Sequence, residues 1–153
     1  MAEVTGLSSA LIVPCYMCPA VSVAIRKNKP FMQFFRSVFK SPPFEAHLRE
    51  MQSCLKARGV KTEIFRSLFY HQWFLCIWTA ARRKKLQKKM KLYDAVIVLG
   101  CDSATETIRD LVESMDCKVI EGMKTAGITN AKPQFRLPCD VYFKDCKTIP
   151  LAT

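Results

Sequence analysis

Tyr93-Asp94-Ala95-Val96-Ile97-Val98-Leu99-Gly100-Cys101-Asp102-Ser103-Ala104-Thr105-Glu106 is the stretch on which the fold turns. Its first half, from Asp94 to Leu99, is an apolar run enriched in β-branched residues. A continuous run of this kind suits a strand buried on both faces, the habit of parallel sheets. The second half turns from strand to helix. Ser103-Ala104-Thr105-Glu106 reads as a capping box, and Ile108, Leu111, Val112 and Met115 then form one apolar face of a helix over 105–115.

Working outward, the same alternation repeats. Ser-Ala-Leu-Ile-Val over 9–13 is a short apolar strand ending at Pro14. The segment 43–58 opens with proline, places Phe44, Leu48, Met51 and Leu55 at helical spacing and stops before Gly59, which predicts a helix. Residues 60–65 alternate apolar and polar as a second strand, 68–92 read as one long helical stretch, and 117–121 read as a further strand. Strands separated by helices with short connections predict an α/β domain spanning 1–153. Its architecture is a small doubly wound, flavodoxin-like parallel sheet of four to five strands with helices on both faces and right-handed crossovers. Residues 123–138 read as a loop, and 140–144 as a last edge strand.

A chain of 153 residues that is 50% apolar and 24% charged has the length and composition for one core, and its composition excludes a disordered tail or a collagen. The charge is uneven. Residues 1–93 hold 17 basic and four acidic side chains, whereas 94–153 hold seven and nine, so an anionic partner is expected to meet the first half. Eight cysteines fall below the density of a disulfide scaffold and read as thiols or ligands in a reducing compartment. Glu3, the interrupting Pro14 and Pro19, and cations that follow the apolar run at Arg26 and Lys27 argue against a secretory signal. No run approaches the roughly 18 apolar residues of a membrane span. A cytoplasmic protein is expected.

In an open parallel sheet, ligands gather beyond the carboxyl ends of the strands, where strand order reverses. Cys15 and Cys18 follow the first strand as Pro-Cys-x-x-Cys-Pro, and Cys101 follows the third. In the strand order 2-1-3-4 these three sulfurs converge, with Cys76 or His71 as a fourth ligand if the long helix begins near that edge. Thiolates bind zinc or an iron–sulfur cluster, so Cys15, Cys18, Cys101 and Cys76 are the candidate metal ligands. Cys101 and Ser103 are the candidate cofactor contacts. The alternative chemistry is thiol–disulfide exchange, with Cys15 attacking and Cys18 resolving. The plainer alternative is that the Cys-x-x-Cys pair is a tight turn and Cys101 a small buried hydrophobe. Cys54 and Cys117 read as core residues, and Cys139 and Cys146 could pair with each other or have no role. Nucleotide-binding glycine motifs and a zinc-protease helix motif are absent from the sequence.

Two further stretches suggest partners. Phe31, Phe34, Phe35, Val38 and Phe39 recur at helical spacing, an amphipathic insertion over 30–41 that could be a lid, pack on the sheet, bind a partner helix or lie on a membrane surface. Arg82, Arg83, Lys84, Lys85, Lys88, Lys89 and Lys91 put seven cations in ten residues, which attract phosphates, acidic proteins or anionic lipid unless they are only a solvated helix end. Few aromatics stand beside this block, so sequence-specific nucleic-acid binding is not expected.

The stretch 93–107, taken with Pro14-Cys15-x-x-Cys18, resembles the cysteine-rich accessory domain that partners methylenetetrahydrofolate reductase in acetogenic bacteria. The resemblance implies an iron–sulfur or zinc centre at Cys15, Cys18 and Cys101. It also implies service to a larger redox or one-carbon, methyl-transfer assembly. A non-catalytic basic docking module is the alternative from a different class.

Overall fold

The computed structural model describes residues 6–33, 40–66, 73–137 and 139–151. Four strands, β1 (Ser9–Pro14), β3 (Lys61–Ile64), β4 (Ala95–Leu99) and β5 (Lys118–Glu121), form an all-parallel sheet in the order β3-β1-β4-β5. Counted within this sheet alone, that is the 2-1-3-4 order. Hydrogen-bonded register runs Ile12 to Ile64 on one side of β1 and Ile12 to Ile97 on the other.

Because alternate side chains leave a strand on opposite faces, β1 and β4 feed two separate cores. Ala10, Ile12, Ala95, Ile97 and Leu99 meet helices α1 (Cys18–Arg26) and α2 (Pro42–Ala57) through Ala20, Val23, Phe44 and Leu48. Leu11, Val13, Val96 and Val98 face the other way, against α3 (Ala80–Met90) and α4 (Asp102–Val112) through Leu86, Met90, Ala104 and Ile108. Both faces of β1 and β4 are therefore dry, which is why their sequences are continuous rather than alternating.

The helix starts depart from the sequence expectation. Helix α4 begins at Asp102 rather than Thr105, with Cys101 as its cap residue. The Cys101 carbonyl accepts the amides of Ala104 and Thr105, so Ser103 lies inside the first turn and caps nothing. Helix α1 was not expected at all. Pro19 sits in its first turn, where the missing amide costs no hydrogen bond, so the proline that interrupts the apolar run helps to start a helix. The long helix over 68–92 is instead a 3₁₀ turn (Leu75–Ile77) followed by α3. Phe74 at φ +49° and the extended Trp78 break the helical path, and 67–72 lie outside the described residues.

A second, three-stranded antiparallel sheet joins β2 (Met32–Gln33), β7 (Asp140–Pro150) and β6 (Gly127–Arg136) in that order. Two expectations fail here. The region 123–138 contains strand β6 rather than being all loop, and β7 runs to Pro150, lying between two strands rather than at an edge. Most of this hairpin is exposed on both faces, so its sequence lacks the apolar alternation that marks a half-buried strand. The aromatic helix expected from residue 31 is also corrected at its start. Phe31 is buried against Phe143, with ring centroids 5.5 Å apart, and Met32–Gln33 are extended against β7. Phe34, Phe35, Val38 and Phe39 lie outside the described residues. Among the described residues, no helix is long and apolar enough to cross a membrane.

Gly100 marks the closest approach between sheet and helix. A Cβ there would stand 2.5 Å from the Ala104 Cβ. Gly100→Ala is expected to destabilise the protein by about 1–3 kcal/mol, because α4 must shift off β4 to admit the methyl group. A urea midpoint shift reads it, and a variant as stable as the parent would show that α4 slides freely.

Candidate functional site

Where β1 and β4 end, their strand connections leave in opposite directions, α1 on one face and α4 on the other, and the cysteines gather there. The Cys15 amide donates to the Leu99 carbonyl at 2.9 Å, carrying the β1–β4 ladder one residue past the strand. Its side chain is buried, and the backbone amides of Leu75 and Met17 donate to its sulfur. Cys18 is the exposed first residue of α1, Cys101 is the half-buried cap of α4, and Cys76 lies half-buried in the 3₁₀ turn.

Electrostatics ties the four together. Burial pushes the Cys15 thiol up, and the neighbouring Cys18 and Cys101 add to the rise, against the two backbone amides that lower it. Burial is also the main cause that raises the Cys18 thiol, with Cys101 and Cys76 reinforcing it. A raised thiol is a poor nucleophile at neutral pH, which speaks against Cys15 as the attacking group of a disulfide exchanger. All eight cysteines are free, Cys139 and Cys146 included. Cys117 is buried as expected, whereas Cys54 is exposed on the outer side of α2, correcting its assignment to the core.

The sequence thus brings Cys15, Cys18, Cys76 and Cys101 to one end of the sheet. It does not bring them into a ready coordination sphere: among the described residues, no three His, Cys, Asp or Glu side chains are placed to hold one metal ion. His71 lies outside the described residues. Ser103 is exposed in the first turn of α4 and its carbonyl accepts the Thr107 hydroxyl at 2.9 Å.

Cys18 and Cys101 open into a cleft of about 780 Å³ at this end of the sheet. Its walls are α1, the turn after β4, the segment after β5 from Gly122 and the base of the β6–β7 hairpin at Gly127, Thr129 and Thr148. Gly122 is bare where a Cβ would meet the Leu99 side chain at 2.6 Å. Arg26, noted in the sequence only as a cation that follows the apolar run, and Lys124 line this cleft. Their only sequence signal is position, at the end of the helix after β1 and in the turn after β5.

Behind the Cys-x-x-Cys turn sits a buried polar network. The Tyr16 hydroxyl donates to Glu45 Oε1 at 2.5 Å, and the Arg66 guanidinium grips both Glu45 oxygens at 3.1 and 3.0 Å. Tyr16 lies between the two cysteines in sequence, so this network anchors their turn to α2. The basic stretch is less free than its sequence suggests. Arg83 donates to the Trp78 and Cys76 carbonyls, and Lys89 pairs with Glu63 at 2.8 Å. Lys84, Lys85, Lys88 and Lys91 are exposed.

Fold and site together define a doubly wound parallel α/β protein with a thiol-lined cleft at its switch point. Comparison with family models, with curated proteins and with solved structures finds no match.

Proposed function

We propose that the chain binds a soft metal centre, zinc or an iron–sulfur cluster, through Cys15, Cys18, Cys76 and Cys101, as an accessory protein of a larger redox or methyl-transfer assembly. The observation that carries this reading is the placement of four thiols from three separate chain segments at the switch-point end of the sheet, with Cys18 and Cys101 in the wall of one cleft, Cys15 just past β1 and Cys76 in the 3₁₀ turn. An all-sulfur donor set selects zinc, copper(I) or iron–sulfur clusters over hard cations. A bound cation displaces thiol protons, so raised thiols that hinder nucleophilic attack are compatible with ligation. Binding would draw the sulfurs onto the ion. Cys18, Cys76 and Cys101 stand at a helix start, in a 3₁₀ turn and at a helix cap, where side chains have freedom to turn. The likeness of 93–107 to the accessory domain of methylenetetrahydrofolate reductase supports the one-carbon setting, and the exposed lysines of α3 offer that assembly a docking face.

Anaerobic titration of the reduced, chelator-treated chain with Co²⁺ tests the site. One equivalent should produce the charge-transfer and d–d bands of tetrahedral thiolate coordination. Serine at Cys15, Cys18 or Cys101 should weaken binding by about 10–100-fold or more, the loss typical even for residues that only support a ligand. Cys54→Ser and Cys146→Ser should leave it unchanged. Absence of saturable thiolate bands, together with failure to retain iron and sulfide on reconstitution, rejects the proposal.

A further inference from the structure

We propose that the switch-point cleft binds a small organic polyanion, one that presents phosphate or carboxylate oxygens to Arg26 and Lys124. The cleft and its charge are the same whether or not the thiols take a metal. At about 780 Å³ the space lies within the range of small-molecule sites. Its lining contains three cations, Arg26, Lys27 and Lys124, together with His47, and no carboxylate.

The acids of the flanking elements are already engaged. Glu50 pairs with Lys27 at 3.6 Å and with His47 at 4.0 Å, Glu121 pairs with Arg109, and the Asp102 carboxylate accepts the Thr125 hydroxyl at 2.8 Å. Arg26 and Lys124 have no ion-pair partner among the described residues. Two cations without an ion pair in the lining of one concavity, against the single Asp102 carboxylate that only a hydroxyl bonds, leave a net positive field focused by its low-dielectric walls. Hydroxyls of Ser22, Thr125, Thr129 and Thr148 also line the space. The Ser22 hydroxyl donates to the Cys18 carbonyl and that of Thr125 to Asp102, while Thr129 and Thr148 bond each other, which leaves the proton of one of that pair to orient a ligand oxygen once charge has drawn it in. The size of the cleft favours a compact ligand over an extended polymer, for which the open lysine face of α3 is the better surface.

Cys18, on the cleft wall, is a built-in reporter, and Cys54, exposed on α2, is its control. The full reduced, chelator-treated chain is alkylated with neutral iodoacetamide, with and without pyrophosphate or citrate, at ionic strength matched with sodium chloride. Peptide mass spectrometry follows each thiol. Saturating probe should slow Cys18 alkylation about tenfold, in proportion to the unoccupied fraction, and leave Cys54 unaffected. The double substitution Arg26→Gln and Lys124→Gln should raise the half-protecting concentration about tenfold. Protection by pyrophosphate alone assigns phosphate, protection by citrate alone assigns carboxylate, and both outcomes support an anion site. Failure of both probes to protect Cys18, or protection undiminished in the double variant, overturns the proposal. Because the chain is metal-free throughout, neither result depends on the Co²⁺ titration.

Discussion

Phe44→Ala is expected to lower the free energy of unfolding by about 3–5 kcal/mol, the cost of removing a large buried aromatic and leaving a cavity. Phe44 is fully buried between α2 and the sheet, in the core shared with Ala10, Ile12 and Leu48. Its ring meets Tyr16 edge-on, with centroids 5.3 Å apart and planes at 86°. Edge-to-face pairs add about 0.5–1.5 kcal/mol beyond burial, so alanine loses both the apolar contact and this one. Urea unfolding followed by circular dichroism measures the loss. Phe44→Leu, which keeps most of the volume, should cost less than about 1.5 kcal/mol. Equal stability of the two variants would mean that the core collapses around the gap.

The part of the fold that was legible in the sequence is the part whose residues are dry on both sides. Ala95–Leu99 is wholly buried, and a run that must exclude water on both faces has to be apolar throughout. The helix over 42–57 was equally clear, because Phe44, Leu48 and Leu55 are buried on one stripe while Arg49, Glu50 and Lys56 are exposed. The β6–β7 hairpin obeys a different rule. Thr129, Asn130, Lys132, Lys144 and Lys147 are exposed, and the strands are held by backbone pairing that composition does not reveal. Its local demands are at Gly127, where a Cβ would collide with the Ile149 carbonyl, and at Asp145, which takes a positive φ; a lone glycine or aspartate in a polar stretch reads equally well as a turn.

The site divides along the same line. That Cys15, Cys18 and Cys101 share one end of the sheet followed from their places just after β1 and β4, once the strand order put those two side by side. The environment of the sulfurs did not follow. The Leu75 amide reaches Cys15 only because Phe74 takes a left-handed conformation and turns the chain back, and the sequence reads straight through that point as helix. The cleft was hidden for a related reason. Gly127, Thr129 and Thr148, which close one of its sides, belong to the hairpin that read as loop and edge strand.

Glu45→Ala is expected to cost about 2–3 kcal/mol at pH 7, within the range for leaving a buried hydrogen-bond partner unsatisfied and losing bonds to a charged group. The Arg66 guanidinium is half exposed and can return to water, so the larger part of the loss falls on the Tyr16 hydroxyl, left buried without its acceptor. Burial pushes the Glu45 carboxyl up, but the bonds from Arg66 and Tyr16 outweigh it and hold the group below the usual carboxylate range. Burial and the Glu45 carboxylate together push the Tyr16 phenol far above its ordinary value, so it stays a donor at any working pH. The sign follows. A carboxyl whose folded pKa is depressed stabilises the fold fully above its unfolded value of about 4.3 and loses that contribution as pH falls through the folded value. The stability gap between wild type and Glu45→Ala should therefore be widest at neutral pH and narrow below about pH 4. Tyr16→Phe should remove most of the penalty of Glu45→Ala when the two are combined, because the buried hydroxyl that needed an acceptor is gone. A gap that stays constant from neutral pH to pH 3 would locate the loss in packing and in the acceptor that even a protonated carboxyl offers Tyr16, and would show that the Glu45 charge does not anchor the Cys-x-x-Cys turn to α2.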